Sequence, residues 1–206
     1  MKPYLKRAWA EISLSALEAN IRAISASLQG NTQIMAVVKA DAYGHGEAEI
    51  LQKLTQIGIR YFAVSNLDEA LHVRQYCPDS DVLILGYTPP EYADTLAQNN
   101  IIQGIVSAEY ACTLNARTRT PIRCHVKLDT GMGRIGITGD TPGDCADSIQ
   151  DMSFLRNLKI EGIYTHFAVA DMPDDPEQNA YTEAQKQFIR SVGTELMKRG
   201  VHLKHL

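Results

Sequence analysis

Lys39 closes a continuous apolar run, Ile34-Met35-Ala36-Val37-Val38, and is followed by Ala40-Asp41-Ala42-Tyr43-Gly44-His45-Gly46. An unbroken apolar run of this kind reads as a strand covered on both faces, so Lys39 stands at the strand's mouth. An ammonium there loses hydration and gains nothing unless something pairs or reacts with it. Partial burial favours the free amine, which suits attack on an aldehyde and Schiff-base chemistry. The bland alternative is a lysine that snorkels to water. Behind Lys39, the phenol of Tyr43 and the imidazole of His45 sit beside glycines, which let backbone approach a ligand closely.

A second stretch, His125-Val126-Lys127-Leu128-Asp129-Thr130-Gly131-Met132-Gly133-Arg134-Ile135-Gly136, ends an apolar run with two cations and a carboxylate. Three glycines within residues 131–136 permit a tight turn that aims Arg134 back over the strand's end. A guanidinium is a fixed cation with forked donors, suited to a phenolate oxygen or a carboxylate. A surface arginine in a flexible loop is the competing reading. Thr165-His166-Phe167-Ala168 places an imidazole just past a third apolar run, where a satisfied core histidine is the commoner case. His202 and His205 invite a zinc site, but an offset of three along a strand puts the rings on opposite faces. No third ligand is evident, so no metal is expected.

These residues need a regular scaffold. Apolar runs predict strands starting near residues 34, 60, 81, 101, 121, 158 and 201, each but the last followed by a helix. A further short strand is expected over residues 7–13. Ser15 and Glu18 read as a capping box opening a helix that Gly30 stops, and a long helix is expected over residues 177–199. Regular β-α alternation implies parallel strands with crossover helices. An open doubly wound sheet and a (β/α)8 barrel compete as closures; the lack of G-x-G-x-x-G after the first strand weakens a dinucleotide-binding version. A parallel barrel builds its site at the carboxyl ends of its strands. Lys39, Tyr43, Tyr87, Lys127, Asp129, Arg134, Thr165 and His166 fall at such ends, and His205 lies in the last strand.

With 206 residues, the chain is expected to form one domain, residues 1–206, with a substantial core. A net charge of −4 without a Lys/Arg run argues against a nucleic-acid surface. Four dispersed cysteines with no C-x-x-C pair suit reduced thiols and a cytoplasmic location. Met1-Lys2-Pro3 leads into no apolar signal region. Apolar runs of about five residues are too short to span a membrane.

Residues 35–46 (M-A-V-V-K-A-D-A-Y-G-H-G), residues 127–134 (K-L-D-T-G-M-G-R) and residues 165–168 (T-H-F-A) closely resemble segments of the alanine racemase family, pyridoxal-phosphate enzymes with a barrel fold. The resemblance implies a TIM-like barrel of which about seven of eight strands are present, with the last barrel strand and the C-terminal β-domain outside this sequence. It implies that Lys39 carries pyridoxal 5'-phosphate through a Schiff base, with Tyr43 near its phosphate. Arg134 would touch the cofactor's phenolic oxygen and the substrate. Lys127 would be the lysine often carbamylated in the family, its acquired negative charge fixing Arg134. His166 would lie against the pyridine ring, and His205 would support a catalytic tyrosine. That tyrosine, the second base, would come from the β-domain across a homodimer. The implied activity is interconversion of L- and D-alanine, supplying D-alanine for peptidoglycan. Serine racemisation, a non-catalytic cofactor-binding barrel and an unrelated (β/α) protein stand as alternatives.

Overall fold

The structure, a computed structural model, describes residues 9–206. Contacts divide the chain into two compact units, Met1–Val82 and Leu83–Leu206. Part of the N-terminal strand expected over residues 7–13 lies outside the described residues, and residues 9–13 form no strand. Trp9 is 60% exposed, so nothing there covers a strand face.

The first unit carries α1 (Leu14–Ser27), β1 (Met35–Val37), α2 (Lys39–Gly44), α3 (Glu47–Gln56), β2 (Tyr61–Val64) and α4 (Leu67–Tyr76). β1 and β2 run parallel, with Met35 opposite Tyr61 and Val37 opposite Ala63. Leu51, Leu54, Phe62, Val64, Ala70 and Val73 are buried and form its core. The start of α1 departs from the expected capping box. Ser13, not Ser15, is the N-cap, its Oγ accepting the Ala16 N–H at 3.2 Å. Glu18 is instead drawn to cations, pairing with Arg22 and with Lys53 of α3. The helix ends at Ser27, before Gly30, which takes φ +60° in the next turn.

β3 (Asp81–Ile84) begins in the first unit, where the Asp81 N–H donates to Arg60 O at 2.9 Å, and ends in the second. The second unit continues with a 3-10 turn (Pro90–Tyr92), α5 (Ala93–Gln98), β4 (Ile102–Ile105), α6 (Ala108–Arg117), β5 (Ile122–Lys127), α7 (Pro142–Ser153), β6 (Leu158–Tyr164) and α8 (Pro176–Lys198). Each strand lies parallel to the one before it. Both faces of β4 are buried, the expected condition of a strand in a parallel sheet covered on both sides. α7 has a true capping box: Thr141 Oγ1 accepts the Asp144 N–H, and the Asp144 carboxylate accepts the Thr141 N–H.

Six strands, not seven, are present among the described residues. The last expected strand is reduced to a single parallel bridge between Gly162 and His205. The N–H groups of Lys204 and His205 both donate to one acceptor, Glu161 O, at 2.7 and 3.1 Å. Donors that converge on one carbonyl cannot step along β6 as a ladder requires.

Candidate active site

In the first unit the candidate residue is Lys39. Beyond β1, the Val38 N–H still pairs with Ala63 O at 2.9 Å. The chain then reverses hand. Ala40, Asp41, Ala42 and Tyr43 have φ of 52°, 55°, 52° and 58°, so α2 is one left-handed helical turn that contains no glycine before Gly44. L-residues avoid this region because Cβ crowds the following carbonyl, at roughly 1–2 kcal/mol each, or on the order of 4–8 kcal/mol for four. Several bonds compensate. The Ala42 N–H donates to Val38 O at 3.0 Å, and the Gly46 N–H donates to Asp41 O at 3.1 Å. Asp41 Oδ1 accepts the Glu47 N–H at 2.6 Å, and the His45 Nδ1 lies 2.8 Å from Ala42 O. The Ala40 N–H donates to Glu69 Oε1 at 2.9 Å, while Glu69 Oε2 accepts the Ser65 N–H and hydroxyl at 2.8 and 2.7 Å.

Strain that persists because its surroundings over-determine it clusters at functional segments. The turn follows directly on Lys39, which is half-buried, with Nζ 5.9 Å from the centroid of the exposed Tyr43 ring. Burial works to raise the pKa of Glu69. The amides of Ala40 and Ser65, the Ser65 hydroxyl and the charge of Lys39 outweigh it and hold the carboxyl below its ordinary value. Neither the left-handed turn nor the role of Glu69 is marked in the sequence. The turn is built on alanines, and Glu69 stands 29 positions from its partner.

In the second unit, Arg134 is carried on a loop that folds around Asp129. Asp129 Oδ1 accepts the N–H groups of Gly131 and Gly133 at 3.1 and 2.9 Å, and Oδ2 accepts that of Arg134 at 2.7 Å. Two backbone bonds close the loop: Asp129 N–H to Ile137 O at 3.0 Å and Ile137 N–H to Lys127 O at 2.8 Å. Gly136 is required at the closure. Its φ is +132°, and a Cβ would sit 2.7 Å from the Asp129 nitrogen. Tyr181, from α8, donates its hydroxyl to Gly131 O at 2.8 Å. The Arg134 side chain is exposed.

Lys127 ends β5 and is 3% exposed. Its Nζ donates to Leu128 O at 3.4 Å and lies 5.8 Å from the Tyr164 ring centroid. Burial pushes its pKa below the ordinary lysine value; the Asp129 charge opposes the change and Arg134 reinforces it. An amine so placed is nucleophilic.

His166, exposed, follows β6. Its backbone and the Arg134 loop share a network centred on Gln185 of α8, which is 2% exposed. Gln185 Nε2 donates to Thr130 Oγ1 at 3.1 Å and to His166 O at 3.4 Å, and Oε1 accepts the Ala168 N–H at 3.0 Å. Thr130 and Thr165 meet through their hydroxyls at 2.8 Å. The sequence carries no signal for Gln185 beyond a polar residue among the apolar positions of a long helix. His205 lies with its ring centroid 5.3 Å from that of buried His125. Lys127, Arg134, His166 and His205 thus lie in the second unit, where Gln185 ties the backbone of the Arg134 loop to that of His166 and His205 sits beside His125, and Lys39 lies with Tyr43 in the first. No set of three or more His, Cys, Asp or Glu side chains that could hold a metal occurs among the described residues, and no helix there is long and apolar enough to cross a membrane.

The fold is that of an α/β protein of parallel strands, with Lys39 and Lys127 at the carboxyl ends of β1 and β5. Residues 12–206 match the family described as "Alanine racemase, N-terminal domain", and the chain belongs to that family. It is 41% identical over 196 residues to an amino-acid racemase of Enterococcus faecalis, covering 95% of this chain and 27% of that protein. It is 38% identical over 207 residues to an alanine racemase of Clostridium tetani, covering 99% of this chain and 52% of that one. The crystal structure of an alanine racemase from Bacillus anthracis, with bound L-Ala-P, superposes with a TM-score of 0.84 at 28% identity, over 98% of this chain and 51% of the other. That likeness bears out the α/β reading and its assignment to part of a racemase barrel. The chain spans about half the length, or less, of these relatives.

Proposed function

We propose that this chain is the pyridoxal-phosphate-binding part of an amino-acid racemase that interconverts L- and D-alanine and so supplies D-alanine for peptidoglycan. The observation that carries the proposal is the strained, multiply bonded turn that presents Lys39 at the end of β1 in a member of this family. The donor set suits a phosphorylated aldehyde with an acidic ring hydroxyl: a primary amine, a phenol, a guanidinium and an imidazole.

When bound, the pyridoxal ring delocalises the electron pair left at the substrate's Cα. Lys39 would hold the cofactor at Nζ and, as a free amine, would remove or return the Cα proton on one face. Tyr43 would lie near the phosphate. Arg134 would face the ring's phenolic oxygen and the substrate carboxylate, its fixed charge favouring both anions. His166 would lie against the pyridine ring. Lys127, as a free amine, would take up carbon dioxide as a carbamate, losing one proton to water, and the negative charge so gained would steady Arg134. His205 supports the tyrosine that handles the proton on the opposite face and that a partner subunit's C-terminal domain supplies. The working protein is thus a cytoplasmic homodimer acting on a small amino acid, with no nucleic-acid or membrane contact from this segment.

The test is racemisation of L-alanine and L-serine by this chain joined to the C-terminal domain that supplies the tyrosine, loaded with pyridoxal phosphate, beside its Lys39→Ala variant. Alanine turnover that exceeds serine turnover and vanishes with Lys39 is expected. Turnover that survives loss of Lys39, or serine turnover in excess, overturns the proposal.

A further inference from the structure

We propose that Glu69 is a positioning residue for Lys39: its carboxylate bridges the end of β2 to the left-handed turn and holds the amine in the pose that captures an aldehyde. The inference rests on the assignment of Lys39 as the cofactor-bearing residue. The geometry is specific to a carboxylate. One oxygen accepts the Ala40 N–H at 2.9 Å, and the other accepts both the N–H and the hydroxyl of Ser65, at 2.8 and 2.7 Å. All the contacts are donors, so a side-chain amide at this position must turn an NH2 toward one of them.

Ala40 is the first residue of the turn and the one bonded directly to Lys39. Fixing its amide fixes the peptide plane that aims the lysine. The residue is also an anion near the amine, since Lys39 is among the charges that favour ionised Glu69. Other charged groups face this corner: Asp41, which receives the Glu47 amide, and Glu47, whose carboxylate contacts His72 at 3.2 Å. Asp41 and Glu47 stay in place when Glu69 is neutralised, so a change confined to Glu69 isolates its share of the field. Nor is Glu69 merely capping α4, because that cap is made by Asn66, whose Oδ1 accepts the Glu69 N–H at 3.0 Å.

The experiment follows uptake of pyridoxal phosphate by the apoprotein through the visible absorbance of its lysine adduct, in wild type, Glu69→Gln and Glu69→Asp, well below the unfolding temperature of each. Thermal unfolding is measured alongside. Glu69→Gln should capture the aldehyde about tenfold more slowly, the order expected for loss of a hydrogen bond to a charged group. Glu69→Asp keeps the charge but is one methylene short of the bridge, so it should also capture slowly. A purely structural role would lower the unfolding temperature and leave the capture rate of the folded protein unchanged. Capture by Glu69→Gln at the wild-type rate overturns the inference. Should the Gln variant fail to fold, capture by Glu69→Asp at the wild-type rate overturns it equally. A wild-type protein that takes up no cofactor at Lys39 overturns the assignment on which the inference rests, a distinct outcome.

Discussion

The carboxylate of Asp129 accepts the backbone N–H of Arg134 at 2.7 Å, and its other oxygen gathers the amides of Gly131 and Gly133. The arginine's approach is therefore set by an acid five positions earlier rather than by contacts of the guanidinium. Burial would raise the Asp129 pKa, but these amides and the charge of Lys127 hold it below the ordinary value. Asp129→Asn should cost roughly 1–2 kcal/mol, because an amide presents an NH2 to at least one of three donors. It should also weaken substrate binding. A group with a depressed folded-state pKa lends stability that is present above its unfolded value and lost as pH falls through the folded one. The difference between wild type and variant in urea unfolding should accordingly shrink as the buffer is taken into the carboxylate range.

Gly136→Ala tests the closure of the same loop. The added Cβ would meet backbone, Asp129 N at 2.7 Å, at a φ of +132°. Unfolding should show a loss of roughly 1–3 kcal/mol, with a larger loss of turnover. Gly30→Ala is the control. It also has a positive φ, but a Cβ there meets nothing within 4 Å. It should cost about 1 kcal/mol and leave turnover unchanged.

Glu161, 2% exposed, collects Arg123 at 2.7 Å, Lys204 at 2.9 Å and Lys159 at 3.1 Å. Burial alone would raise its pKa; the bonds from Lys204, Arg123 and Lys159 instead pull it from 4.5 down to about 2. Glu161→Gln removes the buried carboxylate that Arg123, Lys159 and Lys204 share and should cost about 3 kcal/mol at neutral pH. The contribution is fully present above 4.5 and disappears as pH falls through about 2, so acid unfolding of the variant should begin at higher pH than that of wild type.

Lys127 carries the opposite sign. Burial, the largest influence, places its folded-state pKa below 10.5. Between the two values the folded chain binds fewer protons than the unfolded one, so stability rises with pH across that window. In bicarbonate-free buffer, Lys127→Met should gain about 1 kcal/mol or more at neutral pH, an advantage that fades as pH approaches 10.5. In bicarbonate, intact mass should show a carbon dioxide adduct on wild type and none on Lys127→Met.

Much of this is legible in the sequence because it is local. The strands ending at Val37, Lys127 and Tyr164, the parallel alternation and the long helix α8 follow from apolar spacing and turn residues, but β1 is not covered on both faces as its apolar run suggests, Val37 being 41% exposed. The glycines of the Arg134 loop mark it as a tight turn. Three features are not legible, each for a physical reason. The left-handed turn over Ala40–Tyr43 carries no glycine, and one of the bonds that hold it comes from Glu69, 29 positions away. The cap of α1 falls on Ser13 rather than Ser15, two residues before the expected start, and Glu18 pairs with Arg22 and Lys53 instead of closing a capping box. The strand expected near residue 201 fails because the Lys204 and His205 amides converge on one carbonyl. Gln185 and Glu69 act across 17 and 29 positions, a separation that no local pattern encodes.

Which amine takes the cofactor decides between Lys39 and every other lysine of the chain. The protein is loaded with pyridoxal phosphate, the adduct is fixed with borohydride, and the modified peptide is sequenced by mass spectrometry. A single pyridoxyl group on Lys39 is the expected result. A label on Lys127 or any other lysine, or none at all while the protein remains folded, contradicts it.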